Sequence, residues 1–172
     1  MSNQVFEAVR TLLAVREYDD RPIPDDVLGR IVEAGRLSPS AMNVQPWHFV
    51  VVSDRHALQE LGGLVRTGPY TAGAAAAIVV GILRDNRFAV SDASRAIQGM
   101  LLTAWADGVG SNWAGFAGGL DEVRQRFGLP DEYDVVAVLP FGYPKRAIGK
   151  GMKKRRPLAE VASADRYGTP YG

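Results

Sequence analysis

The stretch that decides the fold is Ser38-Pro39-Ser40-Ala41-Met42-Asn43-Val44-Gln45-Pro46-Trp47-His48-Phe49. Its first nine residues hold two prolines and several small or amide side chains, a composition typical of a loop. The residues that follow, 48–52, are rich in valine and predict a buried β-strand. Before the loop, apolar residues at helical spacing predict a helix that begins at Pro24 and ends near Leu37. The stretch therefore connects a helix to a strand of the core.

The rest of the chain shows the same two kinds of period. Apolar spacing predicts helices over 3–14, 55–64, 92–107 and 120–127, and strands over 77–83 and 135–139, with an extended segment at 111–116. In the first helix we expect Val5, Val9 and Leu13 on the buried side. The 92–107 helix is apolar around much of its circumference, so we expect it in the core or at a subunit interface. Irregular alternation without repeats predicts α+β or α/β architecture in one domain, 1–172.

Composition limits the class of protein. The chain has 172 residues, of which 47% are hydrophobic and 23% charged, as in an ordinary globular domain. It has no cysteine, which excludes disulfides, thiolate metal sites and thiol catalysis. A net charge of +1 predicts no nucleic-acid or membrane partner. Because no signal-peptide pattern and no apolar run of bilayer length is visible, we expect a cytoplasmic protein.

The charge is nevertheless unevenly distributed. Residues 145–156 hold seven basic side chains and no acidic one, while the remainder of the chain carries a charge of −6. A charge run is most often a solvated tail. The alternative is a phosphate clamp, since guanidinium and ammonium groups form charge-assisted hydrogen bonds with phosphate oxygens.

Side-chain catalysis has little support in the sequence. The motifs of serine hydrolases, zinc proteases, P-loop enzymes and dinucleotide-binding folds are absent, and His48 and His56 lack a third metal ligand. We therefore predict no catalytic side chain and no metal site. A protein without a nucleophile, a metal or a clear base can take its chemistry from a cofactor.

Three segments remain as functional candidates. They are the loop 38–47, the segment 110–116 and the basic cluster Lys153-Lys154-Arg155-Arg156 before Pro157-Leu158. Each has an ordinary structural interpretation when taken alone: a polar connection, a strand and a solvated tail. The small residues of the second segment also allow the backbone to approach a flat ligand closely.

In order and spacing, the three segments together resemble the nitroreductase family of flavoproteins. The resemblance covers nearly the whole chain and is most specific in the loop string quoted above. Further matching motifs are Val15-Arg16-Glu17-Tyr18, Ile97-Gln98-Gly99-Met100, Trp113-Ala114-Gly115, Phe127-Gly128-Leu129-Pro130, Leu139-Pro140-Phe141-Gly142 and the basic cluster with its Pro-Leu.

The resemblance implies a three-layer α/β/α fold of the α+β class with a central, mostly antiparallel sheet. It also implies a homodimer with FMN at the subunit interface, with the basic tail 145–172 packing on the partner. NAD(P)H would reduce the flavin, and the flavin would then reduce a nitroaromatic, a quinone or a similar acceptor by ping-pong hydride transfer through N5.

The family's cofactor contacts carry over to individual positions. The resemblance implies FMN contacts for Arg16, Ser38, Pro39, Ser40, Ala41, Asn43, Gln45, Trp113, Ala114, Gly115, Lys153 and Arg155. Of these, Arg16 would lie near the flavin pyrimidine, the backbone of Ala114 and Gly115 near N5, and Lys153 and Arg155 on the phosphate. Trp113 and Phe116 are candidates for an aromatic rim around the substrate.

The sequence departs from the family pattern in two places. Leu12, Leu13 and Ala14 stand where the family usually has Arg-(Arg/His)-Ser, whose outer two residues bind phosphate. Residues 68–71 lack the Asn and Lys that many members place against the pyrimidine. Losing two charge-assisted bonds, each worth about 1.5–3 kcal/mol, would weaken FMN binding about a hundredfold or more. The alternatives are therefore another cofactor, such as a deazaflavin, a flavin-destroying or dehalogenating member, and a cofactor-free binding protein.

Overall fold

A four-stranded antiparallel sheet forms the centre of the molecule. The computed structural model describes residues 3–115, 120–148 and 153–171. The strands are β1 (Trp47–Val52), β2 (Ala76–Leu83), β3 (Gly110–Ser111) and β4 (Tyr133–Gly142), in the order β1-β2-β4-β3. Strand β2 is buried on both faces, which explains why its sequence is an almost continuous apolar run.

Helices cover both faces of this sheet. They are α1 (Gln4–Thr11), α2 (Asp25–Arg36), α3 (Arg55–Leu64), α4 (Ala89–Ala106) and α5 (Asp121–Arg126), with 3-10 turns at Ala41–Asn43, Pro69–Gly73 and Leu158–Glu160. One apolar cluster joins α2 and α4 to one face of the sheet, and a second joins α3 and α5 to the other face. The predicted α+β fold with a central antiparallel sheet between two helical layers is confirmed.

Helix α4 lies in the core, as its apolar circumference predicts. Ile97 and Met100 are fully buried, and Gly35 of α2 lies close against Met100. The helix begins at Ala89, earlier than predicted, so Asp92 is not its N-cap; the Asp92 side chain is instead 1% exposed within the first turn. Among the described helices, this longest one included, none is long and apolar enough to cross a membrane.

The first helix differs from the prediction in length and in packing. It ends at Thr11, because the chain then becomes extended and the Val15 N–H donates a hydrogen bond to the Ser111 carbonyl. The expected burial of its apolar side is wrong within one chain: Val5 is 68% exposed and Val9 44%. Sequence periodicity identifies an apolar face, but it does not say whether the same chain supplies the surface that covers it.

Two strand boundaries also differ from the prediction. Strand β4 does not close at Pro140 but continues through it to Gly142. The proline is tolerated because β3, its neighbour on one side, is only two residues long. Within the extended segment 111–116, only Ser111 belongs to a strand and Ala114 forms an isolated bridge to Val138; Phe116 lies outside the described residues.

The contact between α3 and the 3-10 turn Pro69–Gly73 gives a first testable prediction. A Cβ added to Gly62 would lie 2.6 Å from the backbone nitrogen of Ala72, whereas one added to the neighbouring Gly63 would meet nothing within 4 Å. We expect Gly62→Ala to lower the free energy of unfolding by about 1–3 kcal/mol. Gly63→Ala, the matched control, should raise it by about 0.5–1 kcal/mol through helix propensity. Urea denaturation measures both, and equal effects would contradict the close approach.

Candidate functional site

A cavity of about 820 Å³ lies where α1, α4, the β3 segment and the basic tail meet. Most of its wall is apolar, and its amide and hydroxyl groups belong to Gln98 of α4 and to Ser111 and Asn112 at β3. Its lining residues are Phe6, Val9, Arg10, Leu12, Leu13, Ala14, Gln98, Leu101, Ser111, Asn112, Trp113, Lys153 and Arg155. A largely apolar wall with a few converging polar groups is typical of a small-molecule site.

Two cations from the basic tail give this cavity a positive end. The Lys153 Nζ donates a 2.5 Å hydrogen bond to the carbonyl of Val9, near the C-terminus of α1, and Arg155 lines the cavity beside it. Partial burial and the nearby Arg155 charge lower the pKa of Lys153. No acidic side chain is among the described residues that line the cavity. The arrangement favours an anionic group of a ligand at this end.

The β3 segment adds buried polar groups to the wall. Ser111 is 2% exposed, and its hydroxyl oxygen has no hydrogen-bond partner within the described parts of the chain. Asn112 is 8% exposed, and its amide donates a hydrogen bond to the hydroxyl of Tyr70. A buried hydroxyl without a partner is costly unless a ligand or water satisfies it. The phosphate and the other polar atoms of FMN are chemically suited to the cations and polar groups of this cavity.

Arg16 lies in a second, smaller cavity. This one has about 390 Å³ and is lined by Arg16, Glu17, Tyr18, Tyr70, Gly73, Lys145 and Arg146. The Arg16 guanidinium carbon lies 5.9 Å from the centre of the Tyr70 ring. Because Tyr70 also accepts the hydrogen bond from Asn112, one side-chain pair joins the walls of the two cavities.

The loop residues expected at the cofactor line neither of these cavities. Ser38, Pro39, Ser40, Ala41, Asn43 and Gln45 lie outside both linings. The loop is unusual in its backbone, since Met42, Asn43 and Gln45 have φ of 52°, 56° and 53°, in the left-handed region that non-glycine residues rarely adopt. Met42 is also 83% exposed. Within a single chain, therefore, the loop does not line the cavity that Lys153 and Arg155 line.

The backbone amides expected near flavin N5 have partners within the chain. The Ala114 N–H donates to the Val138 carbonyl at 2.9 Å and so belongs to the sheet. The Gly115 N–H donates to the Thr67 hydroxyl at 3.1 Å, with Gly115 at a φ of 106°. A ligand could replace the partner of the Gly115 N–H more easily than that of the Ala114 N–H, because Thr67 is an exposed loop residue.

The structure brings together some of the predicted residues and adds others. Trp113, Lys153 and Arg155 share the larger cavity with Leu12 and Ala14, the two positions where the sequence departs from the family. Sequence reasoning included Ser111 and Asn112 in the candidate segment 110–116 but gave them no contact of their own, and it did not identify Tyr70. The signal for the first two was present, since they are adjacent polar residues in an otherwise buried segment. Nothing in the sequence pairs Asn112 with Tyr70, because 42 residues separate them.

Known proteins with similar sequences belong to one family. The model of the nitroreductase family matches residues 13–81 and 66–143. A protein of Methanothermobacter thermautotrophicus, named as a candidate NADH dehydrogenase/NAD(P)H nitroreductase, is 33% identical over 84% of this chain and 80% of its own length. A relative from Archaeoglobus fulgidus with the same name is 35% identical over 83% of this chain and 86% of its own.

Solved structures give the same result. A candidate nitroreductase from Desulfovibrio desulfuricans, crystallised in complex with FMN, is 30% identical, covers 97% of this chain and 99% of its own, and superposes with a TM-score of 0.82. A Bacteroides thetaiotaomicron protein, named as a candidate NADH dehydrogenase/NAD(P)H nitroreductase, superposes with a TM-score of 0.88 at 26% identity, over 97% of this chain and all of its own. The family model matches most of this chain, and two relatives are more than 30% identical to it. The chain therefore belongs to the nitroreductase family.

Proposed function

We propose that this protein is an NAD(P)H-dependent flavin oxidoreductase that binds FMN in the larger cavity. The observation that carries the proposal is the lining of that cavity, which combines the cations Lys153 and Arg155 with the unsatisfied hydroxyl of Ser111 in a largely apolar wall. The FMN complex of the Desulfovibrio relative supports the same cofactor.

The side chains divide the work of holding such a cofactor. Lys153 and Arg155 bind the phosphate, and the Ser111 hydroxyl and the Asn112 amide offer hydrogen bonds beside it. Trp113 and Leu101 supply apolar surface that excludes water from a flat ring system. When bound, FMN supplies hydride acceptance and donation at N5. The Gly115 N–H, released from Thr67, is the amide we assign to that atom.

The position of the loop supports a homodimer. Because the loop 38–45 does not line the cavity that holds the tail cations, we assign the loop to the cavity of a second copy. The exposed apolar face of α1, formed by Val5, Phe6 and Val9, supplies surface for that partner to cover. We assign the basic tail to the same interface: its Lys153 and Arg155 stay at the cavity of their own chain, and the tail also packs on the partner.

Among the described residues that line the larger cavity there is no Asp, Glu or His, so the reaction would depend on the chemistry of the cofactor. NAD(P)H would supply the hydride, and a nitroaromatic, quinone or similar planar acceptor would bind beside Trp113 after NAD(P)⁺ has left. Arg16 lies by the Tyr70–Asn112 pair, and we assign it to the pyrimidine end of the flavin.

The apolar lining at Leu12 and Ala14 favours a second candidate. In it, the same fold holds a different cofactor, such as a deazaflavin, or acts as a cofactor-free binding protein. The phosphate end would then serve another anion. The absorbance spectrum of the purified protein distinguishes the two candidate functions.

The absorbance spectrum of the purified protein tests the proposed cofactor. We expect flavin bands in the protein as isolated or after addition of FMN, and bleaching of those bands when NADH or NADPH is added without oxygen. Adding a quinone should restore the bands, with ping-pong kinetics in steady state. A colourless protein that FMN does not reconstitute would favour the second candidate.

Variants of the basic tail test the phosphate end. Replacing Lys153 and Arg155 with Ala removes two charge-assisted bonds and should raise the Kd for FMN about a hundredfold or more. Lys154→Ala is the matched control, because Lys154 is exposed and does not line the cavity. Fluorescence titration with FMN measures all three proteins. If the control weakened binding as much as the double variant, the effect would be general charge and not a phosphate contact.

Restoring the family's usual ligands tests where the phosphate lies. Leu12→Arg with Ala14→Ser should tighten FMN binding by about 1.5–3 kcal/mol, or ten- to a hundredfold, since both positions line the cavity beside Lys153. If the cavity holds another ligand, the new Arg is a poorly paired charge and lowers the melting temperature. No gain in affinity together with lower stability would show that the standard phosphate pocket has been abandoned.

A further inference from the structure

Asp92 is a buried carboxylate that has no role in the function proposed above. It lies in the first turn of α4 with 1% of its surface exposed, and it does not line either cavity. One carboxylate oxygen accepts a 3.0 Å hydrogen bond from the backbone N–H of Ala41, and the other accepts a 2.9 Å bond from Arg95. Burying a carboxylate is expensive unless it is paired, so its two bonds call for an explanation.

The bond to Ala41 anchors the loop to the core. Within the described residues, the other hydrogen bonds to the backbone amides of residues 41–45 come from the loop itself. They are Asn43 N–H to the Ser40 carbonyl, Val44 N–H to the Ala41 carbonyl and Gln45 N–H to the Ser40 hydroxyl. Asp92 alone reaches these amides from another element, across 51 residues of sequence.

The loop needs such an anchor because its backbone is strained. Met42, Asn43 and Gln45 all adopt left-handed φ values, and the exposed side chain of Met42 gains no packing in return. Strained non-glycine residues persist only where the surrounding structure holds them, and they concentrate at functional sites. Without the bond from Asp92, the loop would relax toward ordinary conformations.

We propose that Asp92 is a positioning residue that holds the loop 38–45 in its ligand-contacting conformation, and that it acts on the cofactor bound in the partner subunit's cavity. The proposal rests on the proposed FMN function for its second half only. The loop lines neither of the two cavities of its own chain and is assigned above to the cavity of a second copy, so a residue that holds the loop would affect the cofactor bound by that copy. Asp92 thus couples the core of one subunit to cofactor binding by the other.

Hydrogen exchange on the full-length protein without added cofactor tests the anchor independently of FMN. In Asp92→Ala, peptides covering 40–45 should exchange faster than in the original protein, while β2 keeps its protection. Asp92→Asn retains an oxygen that accepts from Ala41 and should restore slow exchange. Arg95→Gln, the matched control, removes the exposed ion-pair partner but keeps the anchor. Unchanged exchange in Asp92→Ala, or equally fast exchange in Arg95→Gln, would overturn the proposal.

A variant on the other side of the bond covers the case in which Asp92→Ala does not fold. Ala41→Pro removes the N–H itself, and Ser40, with φ −132° and ψ 157°, already has the extended backbone that a following proline requires. Both Asp92→Ala and Ala41→Pro should raise the Kd for FMN about five- to twentyfold, while the Arg95→Gln and Asp92→Asn proteins bind nearly as before. Unchanged FMN affinity in both disruptive variants would overturn the positioning role.

Mixed dimers test the action across the interface. One chain carries Asp92→Ala and the other carries Lys153→Ala with Arg155→Ala. If the loop contacts the cofactor in the partner's cavity, each mixed dimer has one site with both defects and one site with none. In an equal mixture about half of the dimers are mixed, so about a quarter of all sites should bind FMN with the original affinity. If the loop serves its own chain, every site in the mixed dimer is defective and no recovery occurs, which overturns the proposal. Absence of FMN binding in the original protein would overturn the proposed function. Hydrogen exchange would still test whether Asp92 holds the loop, because that experiment needs no cofactor.

Discussion

The hydrogen bond from the Val15 N–H to the Ser111 carbonyl, 2.9 Å long, is the contact on which the site depends. It ends the first helix, turns the chain into an extended segment and ties that segment to the edge strand β3. Gly110 makes the contact possible, because a Cβ there would lie 2.4 Å from a methyl carbon of Val15. The segment before Val15 and the residues after Gly110 therefore lie side by side in the wall of the cavity.

The electrostatics of the site follow from this frame. The C-terminal end of α1 presents carbonyl oxygens to the cavity, and Lys153 binds one of them, as cations commonly do at helix C-termini. Lys153 thereby fixes the tail at the cavity mouth, with Arg155 beside it. The lowered pKa of Lys153 reflects burial and repulsion between two cations that face the same space. An anionic ligand would offset both effects by attracting the two cations, which is the physical basis for proposing a phosphate there.

The two positions in the first segment that depart from the family pattern lie in the larger cavity. Leu12 and Ala14 line the same cavity as Lys153 and Arg155, so the losses and the retained cations concern one site. In the proposed complex, the tail would supply most of the charge that neutralises the phosphate. The loop keeps its family sequence, and its strained backbone is held by hydrogen bonds within the loop and by one from the Ala41 N–H to the buried carboxylate of Asp92.

Much of the fold was predictable from the sequence alone, because periodicity and turn residues are local properties. Helices α2 and α3, the three long strands and the core position of α4 follow from apolar spacing and from the residues that end each element. The family motif also identified the tail cations and Trp113, which do share a cavity. Only the tertiary structure decided the rest. It exposed the apolar face of α1, carried β4 through Pro140, separated the loop 38–45 from the tail cations, and paired Asp92 with Ala41 and Asn112 with Tyr70. These features depend on contacts between residues far apart in the chain, and no local pattern specifies which distant surface will cover a helix or satisfy a buried polar group.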